Sequence, residues 1–156
     1  MKDLICIGML FLSVIICNGQ NKLQESLDRY DYKTAIAIID SLTAKICTDS
    51  TSIAENRETV IELALQKARC LRRLYRMQES VEVLADVLYL DQFNIELIAD
   101  LAESHMQVGN TPEAFKLYGI LSQMQPENSY FKICKARILY REKQYEECIS
   151  ACVEII

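Results

Sequence analysis

Small and apolar residues recur along this chain at a spacing of 34. Ser80, Ala114 and Cys148 stand that far apart, as do Val81, Phe115 and Ile149, then Leu84, Tyr118 and Cys152, then Val87, Leu121 and Ile155. A period of this length holds two amphipathic helices and their turns. One helix pair cannot bury its own apolar stripe, so the units must stack. The period therefore predicts an all-α helix-turn-helix solenoid of about three and a half to four units. Four glycines and two prolines in 156 residues are too few for a sandwich or barrel full of tight turns.

The turn residues fit this reading. Gly109 is placed to end one helix in the left-handed conformation. Asn110 or Thr111 caps the next helix, Pro112 fits its first turn, and Pro126 ends it. The unit 95–128 supplies Ile98, Leu101, Ala102, His105, Gly109, Ala114, Tyr118, Leu121 and Pro126 at characteristic positions. The unit 61–94 supplies Ala64, Ala68, Leu71, Tyr75, Ser80 and Leu84, and the incomplete unit 129–156 supplies Ala136, Leu139, Lys143, Tyr145 and Cys148. A degenerate unit at about 22–50 shows Tyr32, Ala35, Ile39 and Leu42, with Ala35 preceding Ser80 by 45 rather than 34. Lys67, Lys132 and Lys135 stand where apolar residues are usual. The pattern resembles the tetratricopeptide repeat (TPR) family over roughly 22–156. That resemblance implies a right-handed superhelix in which small residues meet across each helix pair: Ala68 with Ser80, Ala102 with Ala114, Ala136 with Cys148. The stretch 48–76 reads as a long helix from Thr51 or Ser52, with a register break and short loop as the alternative.

The first 19 residues are set apart. Lys2 precedes an apolar run from Leu4 to Ile16, of signal-peptide length and short for a membrane span. Cys17 and Gly19 are small residues at −3 and −1 of a cut between Gly19 and Gln20. The expectation is a cleaved secretory signal at 1–19 and an exported, periplasmic or envelope-associated mature chain at 20–156. An uncleaved anchor and lipidation at Cys17 are the alternatives, and either would make the N-terminal segment the route to a membrane.

Chemistry-bearing residues are sparse. Beyond the leader stand Cys47, Cys70, Cys134, Cys148 and Cys152, an odd number that argues against a full disulfide framework. Cys148 and Cys152 share a helix face, but neither a His nor a further Cys lies near to complete a zinc set. These cysteines are expected to pack as small apolar groups, with a disulfide or a metal as the other readings. His105, the one histidine, falls on a packing position. The scattered glycines form no phosphate loop. No catalytic residue, metal or cofactor is expected, and a net charge of −5 without a long basic run disfavours nucleic acid.

The resemblance implies a concave groove lined by the first helix of each unit. Those positions hold Glu62, Leu65, Arg69, Arg72 and Arg73, then Glu96, Ala99, Glu103, Met106 and Gln107, then Tyr130, Ile133, Arg137, Tyr140 and Arg141. Arginine forks match carboxylates and tyrosine gives rigid amphipathic area, so the groove is expected to take an acidic protein or peptide segment. Alternatively these arginines pair with Glu62, Glu96 and Glu103 and keep the surface soluble. The Lys and Asn pattern of chaperone-binding members is missing. The function expected is a non-catalytic interaction scaffold. The alternative is a sensor or regulatory segment of a larger membrane-anchored signalling protein, continuing past Ile156. Ile149, Val153, Ile155 and Ile156 on the last helix point to a further segment, a partner, or end-to-end self-association.

Overall fold

Side-chain caps and left-handed corners set the helix boundaries in the computed structural model, which describes residues 19–153 and 155. Residues 1–18 of the leader, with Cys6 and Cys17, and Ile156 lie outside the described residues, and Gly19 falls in the first described helix. The chain divides after Tyr75 into two units. The first holds α1, described over 19–28, α2 (Tyr32–Ile46), α3 (Ser50–Glu55) and α4 (Arg57–Arg73). The second holds α5 (Met77–Val87), a 3-10 turn at Leu88–Leu90, α6 (Ile95–Val108), α7 (Thr111–Met124), α8 (Ser129–Arg141) and α9 (Tyr145–Val153). Every regular element among the described residues is helical. The all-α expectation holds, and the division falls inside the stretch 61–94 that the sequence reads as one repeat.

Short acceptor side chains start α2, α3 and α6, whereas Asn110 stands at the N-cap of α7 without a side-chain bond to it. Asp31 accepts from the Thr34 amide at 3.2 Å, Asp49 from Ser52 at 2.8 Å, and Asn94 from Leu97 at 3.0 Å. Each satisfies an amide that the first turn leaves without a helical partner. Helices end at corners with positive φ: Tyr30 at 58°, Tyr75 at 61°, Gly109 at 83° and Lys143 at 62°. At three of them the next amide bonds five residues back: Asp31 to Ser26 O at 2.9 Å, Asn110 to His105 O at 2.9 Å, and Gln144 to Leu139 O at 2.9 Å. This is the Schellman closure, which needs one left-handed residue whatever its side chain.

In the first unit, α2 packs on α4. Both helices bury an i, i+3/i+4 stripe: Ala35, Ile39, Leu42 and Ile46 on α2, and Ile61, Ala64, Ala68 and Leu71 on α4. Lys67, out of place as an apolar position, sends its ammonium to Asp40 of α2 at 2.6 Å. The stretch 48–76 is two helices broken at Asn56. Its side-chain amide donates to Ser52 O at 2.8 Å, closing α3, and its own carbonyl accepts from the Val60 amide at 3.0 Å, opening α4. Asparagine competes with the helix for backbone partners, and here it ends one helix and begins the next.

In the second unit each helix from α5 to α9 packs on its successor, with the 3-10 turn Leu88–Leu90 lying between α5 and α6. Ala102 and Ala114 are fully buried in one core with Ile98, Tyr118, Leu121, Phe131, Cys134 and Ile138. Their methyl groups let α6 and α7 approach closely. Ser80 is fully buried, and its hydroxyl meets that of Ser104 on α6 at 2.8 Å. Ala68 is as fully buried in the first unit. Lys135 places its ammonium 5.1 Å from the centre of the Phe115 ring, which accounts for a cation on the packing side of α8. Pro126 follows the end of α7 in an exposed turn. Along α9 no described residue is buried, and Ile149 and Val153 are 66% and 68% exposed.

Candidate functional site

The second unit carries a cleft of about 230 Å³ lined by Glu103, Met106, Gln107, Tyr118, Cys134, Arg137 and Arg141. Residues 103, 106 and 107 share one face of α6, and residues 134, 137 and 141 one face of α8, because three- and four-residue steps return to the same side of a helix. Tyr118 of α7 forms the buried floor.

Polar contacts fix the floor. Gln107 Nε2 donates to Glu103 Oε1 at 2.9 Å, and Tyr118 Oη donates to Glu103 Oε2 at 3.3 Å. Both carboxylate oxygens are thus engaged from within the unit. Burial, together with Cys134, Glu103 and Tyr130, pushes the Tyr118 phenol well above its usual range. Hydrogen bonding with the Cys134 thiol raises the Tyr130 phenol, and Arg137 opposes that rise. Both phenols stay protonated at neutral pH and present donors.

The guanidinium groups are differently placed. Arg137 and Arg141 are exposed, and neither has an ion-pair partner among the described residues. The cleft thus holds an internally bonded carboxylate on α6 and two open cations on α8. Tyr130 and Tyr140 are 54% and 65% exposed. Tyr130 meets Phe131 edge-on at 5.7 Å, and Tyr140 meets Tyr145 of α9 at 5.9 Å, so Tyr140 faces the α8–α9 side.

On α4 of the first unit, Arg69 and Arg73 are exposed and Arg72 is half-buried. Leu65, at a groove position by repeat register, is buried at 4% exposure and belongs to the core. Glu62 accepts from Gln66 at 3.3 Å. The expectation of small buried cysteines fits Cys70 and Cys134, whereas Cys148 is half-buried and Cys152 exposed. Among the described residues, α8 is the helix that packs on α9. His105 is half-buried with Nδ1 3.3 Å from the Asn110 side-chain nitrogen, and burial holds its pKa below the usual value against the pull of Glu113.

Repeat register points to Glu103, Met106, Gln107, Arg137 and Arg141. It misses Tyr118 and Cys134, which occupy packing positions and show the cleft a hydroxyl and a thiol only once three helices are assembled. The described residues contain no group of three or more His, Cys, Asp or Glu placed to hold a metal, and no helix long and apolar enough to cross a membrane.

Paired helices closed by left-handed corners, with small residues at their close approach, define a TPR-like fold. No family model and no curated protein matches the chain. Solved structures do. A tetratricopeptide repeat protein from Parabacteroides merdae superposes with a TM-score of 0.74 at 18% identity, covering 88% of this chain and 51% of that one. The present chain spans about half the length of that protein. The C-terminal TPR-containing domain of a Plasmodium falciparum FK506-binding protein gives 0.70 at 14% identity, covering 87% and 93%. MamA from Desulfovibrio magneticus gives 0.56 at 10% identity, covering 90% and 93%. These likenesses establish the TPR-like fold.

Proposed function

We infer that the chain is a non-catalytic protein-interaction module whose α6–α8 cleft binds an acidic peptide or protein segment. One observation carries this reading: Arg137 and Arg141 stand open beside a carboxylate already engaged by Gln107 and Tyr118. Two guanidinium forks without an internal partner favour an incoming carboxylate, while Tyr118 and the Met106 side chain add a polar and an apolar wall. Arg69, Arg72 and Arg73 add charge of the same sign within the first unit.

The test is fluorescence anisotropy with the full chain and labelled peptides rich in Asp and Glu, set against basic peptides of equal length. Acidic peptides are expected to bind tighter, to weaken as salt rises, and to lose at least ~10-fold in affinity to the R137E/R141E variant with helicity unchanged by circular dichroism. Affinity indifferent to salt and to charge reversal overturns the reading.

The exported location belongs to the same proposal and rests on the pattern of 1–19. Mass spectrometry of the chain from its source cell is expected to find Gln20 at the N-terminus. A second reading, a regulatory segment of a longer membrane-anchored protein, has in its favour that the chain spans half of the Parabacteroides merdae protein. Reading the gene past codon 156 decides it. Self-association through α9 is supported by the exposure of Ile149 and Val153, and I149D/V153D is expected to abolish any dimer seen in sedimentation.

A further inference from the structure

The α8–α9 side of the second unit carries a cleft of about 410 Å³ that shares Arg137 and Arg141 with the one between α6 and α8. Cys148 and Cys152 line it one helical turn apart, and Arg137 and Arg141 line its other side. Both thiols are free, with Cys152 exposed and Cys148 half-buried. Cys148 Sγ donates to the Ala136 carbonyl at 3.3 Å, which holds it over α8.

Helix geometry limits what this pair can do. Side chains four residues apart have Cβ atoms about 5–6 Å apart. A disulfide needs about 3.5–4.5 Å, so oxidation would distort α9. A metal bridge has a longer reach, because two metal–sulfur bonds of about 2.3 Å span the gap with the helix intact. No third His, Cys, Asp or Glu joins the pair among the described residues. Zinc, calcium and magnesium need more donors than that. A soft monovalent ion with d10 configuration is satisfied by two thiolates.

We propose that Cys148 and Cys152 form a two-coordinate site for a soft monovalent cation of the Cu(I) class. Binding breaks two S–H bonds, forms two Cu–S bonds, and releases two protons to solvent without any change of oxidation state. The product carries one net negative charge, and Arg137 and Arg141 on the facing helix are the groups that neutralise it. The two thiols lie outside the peptide cleft, while Arg137 and Arg141 line both, and thiol binding of the ion does not depend on the peptide reading.

The test is competition for Cu(I) against bicinchoninate, under reducing and oxygen-free conditions, with the full chain. Wild type, C148S, C152S and the control C47S are compared, with circular dichroism showing that each keeps its helices. The wild type and C47S are expected to withdraw one Cu(I) more than either α9 variant, each of which loses ~100-fold in affinity as a chelate becomes a single ligand. Zn(II) is expected to bind far more weakly than Cu(I). Affinity within tenfold of wild type in C148S or C152S overturns the proposal, as does Zn(II) binding that equals Cu(I).

Discussion

At the scale of single residues, the corners are the most sensitive points of the backbone. Gly109 sits at φ 83° with open space where a Cβ would go, so replacement meets strain rather than a clash. Gly109→Ala is expected to lower stability by about 1 kcal/mol, and Lys143→Gly to raise it by about 0.5–1 kcal/mol, read as shifts of the urea midpoint. A Lys143→Gly variant less stable than wild type would show that its side chain compensates the left-handed cost. Ser80 and Ser104 are a second sensitive point. Ser104→Ala removes the partner of a fully buried hydroxyl and is expected to cost about 1–3 kcal/mol. The double variant S80A/S104A is expected to recover part of that loss, because no polar group is then left buried alone.

At the scale of elements, the sequence makes the helices legible and hides some of their contacts. The 34-residue period locates the paired helices because their stripes are buried by each other. Lys67 and Lys135 interrupt the stripe, yet neither breaks a helix: one reaches Asp40 and the other covers Phe115. Such long-stemmed cations pack along their methylenes, and hydropathy cannot distinguish them from solvated ones. The sequence leaves 48–76 open between one long helix and a register break; the structure breaks it at Asn56, and the buried stripe of α4 does not extend into α3. The candidate cleft is half legible. Its arginines and Glu103 follow from repeat register. Tyr118 and Cys134 read as core, and they are core: only their polar atoms reach the cleft.

At the scale of the whole molecule, the titrating groups set a window of stability. The Thr34 and Ser52 cap bonds hold the Asp31 and Asp49 carboxyls below their usual range, and Lys116 does the same for Glu113. Groups lowered on folding stabilise the fold above their unfolded pKa, and that contribution is lost as pH falls through the folded values. His105 acts in the same direction. Its unfolded form takes a proton near 6.5 while burial resists protonation in the fold, so stability again falls on acidification. Tyr118 acts at the other end. Its folded pKa is raised, so its contribution is present below pH 10 and lost as pH rises beyond it. The urea midpoint is therefore expected to be level from about pH 7 to 9 and to fall on both sides. A midpoint still rising as pH falls below 6 would contradict these assignments.

The short helix α3 has a practical side. It buries no residue, and the helix it packs on most is its neighbour α4. Asn56 closes it and opens α4 without help from any side chain of α3, since the carbonyl of Ser52 is its only anchor there. Foreign sequence spliced in ahead of Ser52 would therefore leave the buried stripes of α2 and α4 intact and sacrifice the Asp49 cap on Ser52. This makes the segment before α4 a ready port for a fluorophore, an affinity tag or a tether, through which either cleft could be interrogated on a surface without touching the residues that line it.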